Sequence, residues 1–112
     1  MARKNTTRMV KALLNGGKAT AKRDVVVDGK WEFHGNMIAY YEGGALNITL
    51  CGWNTPTTRE RLNTLLSELG MSRLGFSQKN YDAVIKLDGK VVLENDPSDT
   101  WTVEELKDMI KG

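Results

Sequence analysis

With 112 residues, 40% of them apolar and 27% charged, the chain has the length and composition of one small globular domain spanning residues 1–112, because a second core would leave each half too small to be stable alone. A single cysteine excludes an internal disulfide and any zinc site built on paired cysteines, and the apolar runs fall far short of the ~20 residues a membrane-spanning helix needs. The opening MARKNTTRMVKALL lacks the apolar stretch of a secretory signal, so the protein is expected in a reducing cytoplasm, away from any membrane.

The net charge of +2 is unevenly spread. Residues 1–23 carry seven bases (Arg3, Lys4, Arg8, Lys11, Lys18, Lys22 and Arg23) and no acid, while the remainder holds nine bases against fourteen acids, a net of −5. A basic segment on a mildly acidic body suits nucleic acid or an acidic protein surface. The plainer account is a solubilising terminus, with residues 1–5 a flexible basic arm and no aromatic among the charges to stack on bases.

In chain order, Met9, Val10, Leu13 and Leu14 form one apolar stripe and predict a helix over 6–15, stopped by Gly16-Gly17. From Asp24 to Cys51 short alternating runs are separated by turn residues: VVV, Asp28-Gly29, KWEF, Gly35-Asn36, MIAYY, Gly43-Gly44, ALNITLC. This pattern predicts an antiparallel meander, in which Asp-Gly supplies the positive φ that a two-residue hairpin turn requires. Leu62, Leu65, Leu66 and Leu69 then fall at helical spacing, ended by Gly70. Thr55 before Pro56 predicts the N-cap of that helix, and Thr57 with Glu60 offers a capping box one step later. A second hairpin turns at Asp88-Gly89, preceded by a strand near 73–77. A last helix starts at a Thr102–Glu105 capping box, with Val103, Leu106 and Ile110 inward. Strands grouped in two blocks predict an α+β fold, an antiparallel sheet of two strand blocks packed against three helices.

Catalytic chemistry finds little support. His34 and Cys51 are the one Cys-His combination available, but a lone cysteine at a strand end usually serves as a small buried hydrophobe. NGGKAT lacks the spacing of a phosphate loop and follows a helix rather than a strand. The carboxylates of 96–108 suit loop formation and a helix start rather than a calcium loop. No catalytic set, metal site or cofactor is therefore expected.

The more suggestive feature is Thr57, Thr58, Arg59 and Arg61 at the start of the leucine-rich helix. Two arginines there oppose the helix dipole, at about 0.3–1 kcal/mol for each exposed charge, and a bound anion such as phosphate relieves that cost. Compensation by Glu60 and neighbouring acids is the plainer account. Combined with Arg3, Lys4, Arg8, Lys11, Lys18, Lys22 and Arg23, these residues define a candidate nucleic-acid or anion-binding surface. Trp31, Trp53 and Trp101 sit at strand ends and turns, where Trp31 and Trp101 are expected to close the core and an exposed aromatic to anchor an interface.

The stretch GNMIAYYEGGALNITLCGWNTPTTRERLNTLLSELG resembles a pattern in small proteins of tailed bacteriophages, carried by Asn-Met-Ile-Ala on a strand and Trp-Asn-Thr-Pro-Thr-Thr-Arg entering a helix with Arg-Leu-Asn. It covers about a third of the chain; its motifs carry no assigned chemistry, and residues 72–112 add nothing to it. The resemblance implies a phage or prophage origin and, by class, a protein that binds and inhibits host machinery, including restriction and CRISPR defence. The resulting expectation is a non-enzymatic binding protein in the host cytoplasm, with a host protein or nucleoprotein complex as partner. Direct nucleic-acid binding through the basic segment and the helix N-terminus is the alternative.

Overall fold

A computed structural model describes residues 4–111. Its helices are α1 (Lys4–Asn15), α2 (Pro56–Glu68) and α3 (Val103–Lys111). Its strands are β1 (Ala19–Ala21), β2 (Asp24–Val27), β3 (Lys30–Phe33), β4 (Asn36–Glu42), β5 (Ala45–Thr49), β6 (Leu74–Lys79), β7 (Asp82–Leu87), β8 (Lys90–Glu94) and β9 (Thr100–Thr102). The fold is α+β, and the two strand blocks form two separate antiparallel sheets: six strands in the order β1-β2-β3-β4-β5-β9, and three in the order β6-β7-β8.

Hairpin chemistry accounts for the meander. Asp28-Gly29 and Asp88-Gly89 both hold positive φ at each central position (51° and 73°, 52° and 83°), as a two-residue turn between right-twisted strands demands. The turn predicted at Gly35-Asn36 falls one residue earlier, on His34 (φ 54°) and Gly35 (φ 77°), leaving Asn36 to open β4. The two strands with no expectation from sequence, β1 and β9, are three residues each and pair on opposite edges of the larger sheet. Strands that short owe their conformation to the neighbours they pair with, so alternation within them carries no signal.

One contiguous core joins the layers. On the inner face Trp31, Ala39, Ile48 and Trp101 lie in register across β3, β4, β5 and β9. Leu62, Leu65 and Leu66 of α2 are fully buried, as are Met9 and Val10 of α1 and Leu106 of α3; each such side chain contributes about 1.5–3 kcal/mol relative to exposure. Phe76, Ala83 and Ile85 bring the smaller sheet into the same cluster.

Two local expectations are corrected. Thr55 alone caps α2, its Oγ1 accepting the Thr58 N–H (3.3 Å) with Pro56 in the first helical position. The Thr57–Glu60 box does not form, because Glu60 accepts instead from the hydroxyls of Thr6 (2.9 Å) and Thr64 (3.1 Å) and so ties α1 to α2. Lys4 and Asn5, assigned by sequence to a flexible arm, form the first turn of α1, while Arg3 lies outside the described residues. At α3 the expected box does form, with Thr102 N–H to Glu105 Oε1 at 2.9 Å and Glu105 N–H to Thr102 Oγ1 at 3.2 Å.

Candidate ligand-binding groove

The start of α2, the His34-Gly35 turn and the Lys22-Arg23 turn between β1 and β2 converge on two adjoining hollows. The first, about 390 Å³, is walled by Phe33, Ile38, Leu50 and Trp53, with the hydroxyls of Thr55 and Thr57 at its rim. The second, about 550 Å³, is edged by Lys4, Lys22 and Arg23. Phe33, His34 and Thr57 line both and form the wall between them.

Local structure fixes the aromatic side of this groove. After β5 the chain turns sharply through Cys51 (φ 55°) and Gly52 (φ 82°), with the Trp53 N–H donating to the Leu50 carbonyl at 2.9 Å. Leu50 is thereby buried and Trp53 is left 57% exposed. His34 sits edge-on to Phe33, ring centroids 4.3 Å apart, and its Nδ1 lies 3.5 Å from Nη1 of Arg23.

The floor is a buried polar cluster. Asp24, 3% exposed, accepts from Nε and Nη2 of Arg61 (2.8 Å each) and from Nε1 of Trp31 (3.0 Å). The Arg61 guanidinium lies over the Phe33 ring, 3.7 Å from its centroid, and donates to the Thr57 carbonyl at 3.0 Å. Such stacking on an aromatic face suits a delocalised cation.

The anion surface read from sequence is therefore redistributed. Arg61 is 8% exposed and lies in the second turn of α2, its charge spent on Asp24. Nη1 of Arg59 is held by Asn54 Oδ1 (2.6 Å), the Asn54 carbonyl (3.1 Å) and Gln78 Oε1 (3.3 Å), and burial lowers its pKa from the ordinary value. Thr58 is buried within the cap, its hydroxyl 2.9 Å from that of Thr55. Arg8 donates to the Thr20 carbonyl at 2.8 Å, and exposed Lys11 and Lys18 do not line the groove. What remains gathered is Lys4, Lys22, Arg23 and Thr57. The three cations form no ion pair among the described residues.

Sequence reasoning missed the contribution of His34 and of Trp53 to this groove. The signal for Trp53 was its position between Gly52 and Asn54, in a loop with no apolar periodicity to claim it. A third aromatic lies on a neighbouring loop. Tyr81, 91% exposed with φ 71°, forms with Asn80 the tip of the β6–β7 hairpin, which the Arg59–Gln78 contact ties to the segment around Asn54.

Cys51 is half-buried and lines neither of the hollows that His34 lines. Among the described residues no group of three or more His, Cys, Asp or Glu side chains is placed to hold a metal ion, and no helix is long and apolar enough to cross a membrane.

Fold and groove together define a small α+β protein whose exposed aromatic and cationic side chains surround paired hollows. Residues 2–107 match the model of the Kyanoviridae Gp96 protein family, a phage family, and the chain belongs to it. The match extends the tailed-phage resemblance of the central segment through β6–β9 and most of α3. No curated protein and no solved structure matches the chain.

Proposed function

We propose that this phage protein is a non-enzymatic binding protein that acts on host machinery, with a nucleic-acid-handling complex such as a restriction or CRISPR defence assembly as the class of target. The observation that carries this reading is the solvent exposure of Trp53 and Tyr81 on loops linked through Arg59. They are the two most exposed large hydrophobic side chains among the described residues, ahead of Val92 and Tyr41, and exposed large aromatics are the residue type that anchors interfaces. The test is an affinity capture of the tagged protein from bacterial lysate, with and without nuclease. The reading predicts a stoichiometric host protein that survives nuclease and is lost from Trp53→Ala or Tyr81→Ala; capture unaffected by both substitutions overturns it.

A second reading, direct nucleic-acid binding, is favoured by one specific observation. Lys4, Lys22 and Arg23 surround a hollow whose carboxylate, Asp24, is already neutralised by Arg61. Such a site predicts affinity that falls steeply with salt. Recovery of nucleic acid alone, lost on nuclease treatment, would put this reading first.

A further inference from the structure

The two hollows differ in chemistry yet share a wall. On one side is an apolar recess faced by an exposed indole; on the other, a hollow edged by three cations that form no ion pair among the described residues. The recess, about 390 Å³, lies near the lower end of the roughly 300–1,000 Å³ of small-ligand pockets, room for one ring system rather than an extended apolar segment. The ligand such a pair fits is one flat apolar ring joined by a short spacer to an anionic group.

We propose that the groove binds single-stranded nucleic acid, with one unpaired base stacked against Trp53 and the flanking phosphates held by Lys22, Arg23 and Lys4. This rests on the second reading above and deepens it by naming how the strand is read. Three unpaired cations exceed what one phosphate neutralises, which favours a strand over a free nucleotide. A duplex keeps its bases stacked on one another and has none to offer the recess. Arg61 takes no phosphate, because its Nε and Nη2 are paired with Asp24 and its Nη1 donates to the Thr57 carbonyl; its part is to hold Phe33, and through it His34, as the wall between base and phosphate. Thr57 presents its exposed hydroxyl to either side.

The test is fluorescence anisotropy of short labelled oligonucleotides at low salt, using oligo(dT), the same strand with abasic sites, and a duplex of equal length, with free thymidine monophosphate titrated calorimetrically. The expected result is binding of oligo(dT) that weakens with salt and drops about tenfold or more in Trp53→Ala, as loss of one base–aromatic stack predicts. Trp53→Phe, which keeps a ring, retains most of the affinity. Lys22→Ala and Arg23→Ala each flatten the slope of log affinity against log salt by about 0.7. The abasic strand binds about as weakly to the wild type as oligo(dT) binds to Trp53→Ala. Equal binding of abasic and base-bearing strands, or of duplex and single strand, would overturn base stacking while leaving the nucleic-acid reading standing. A mononucleotide bound as tightly as the strand would overturn the strand as ligand. No binding of any strand at low salt would overturn both.

Discussion

Asp24 and Arg61, 37 residues apart in sequence, meet in a doubly hydrogen-bonded ion pair beneath the groove, with both N···O distances 2.8 Å. Asp24 lies opposite Phe33 in the β2–β3 ladder, so the guanidinium that stacks on Phe33 also reaches the carboxylate. Removing one partner leaves the other buried and uncompensated, which typically costs about 3–5 kcal/mol. Asp24→Ala and Arg61→Ala are each expected to destabilise the fold by that amount in urea denaturation. The double variant should cost clearly less than the sum of the two; strict additivity would mean that the pair is not coupled.

Asn63 does for the smaller sheet what a further strand would do. Its Nδ2 donates to the Phe76 carbonyl at 3.0 Å and its Oδ1 accepts the Phe76 N–H at 2.7 Å, so the side-chain amide pairs with the backbone on the open side of β6. Asn63→Ala leaves both backbone groups without that partner and is expected to cost about 1–3 kcal/mol. Hydrogen exchange should report the loss first at the Phe76 amide, faster than at β7 amides; an unchanged Phe76 rate would show the bond to be unimportant.

Tyr81 occupies a left-handed position (φ 71°) in a two-residue turn whose preferred sequence is Asn-Gly. An L-residue there costs roughly 1–2 kcal/mol, which glycine avoids. Tyr81→Gly is accordingly expected to raise the urea midpoint, by about 1 kcal/mol in stability, with fold intact. A gain in stability accompanied by weaker host-protein capture would mark Tyr81 as a contact residue whose strain is retained for function.

Two exposed carboxyls carry predictions for pH. Hydrogen bonding from Arg73, with a smaller contribution from its charge, holds Asp88 below the usual carboxylate range, and the side-chain and backbone donors of Ser98 do the same for Asp96. A depressed carboxyl stabilises the fold fully above its unfolded value of about 4, and that contribution is lost as pH falls through the lower folded value. NMR titration should find both midpoints below the ordinary aspartate value. Arg73→Ala should raise that of Asp88 and leave Asp96 where it is; movement of both would mean a general field rather than the local pair.

Local chemistry sufficed for much of the fold. The i, i+3, i+4, i+7 leucines of α2, the Thr55-Pro56 cap, the Thr102–Glu105 box and the two Asp-Gly hairpins depend on neighbours within a few residues, so the chain announces them. The same holds for the basic character of residues 1–23. The tertiary structure alone decided which charges stay outside. Arg59 and Arg61 read alike in sequence, yet one turns toward the β6–β7 hairpin and the other into the core, because only folding brings Asp24 and Phe33 beneath α2. It also decided that the strand blocks form separate sheets, that β1 and β9 exist at all, and that Trp53 faces out on a hollow adjoining the one edged by Lys22 and Arg23. Each of these follows from contacts between residues far apart in sequence, whose side chains carry no local pattern that records the partner they will meet.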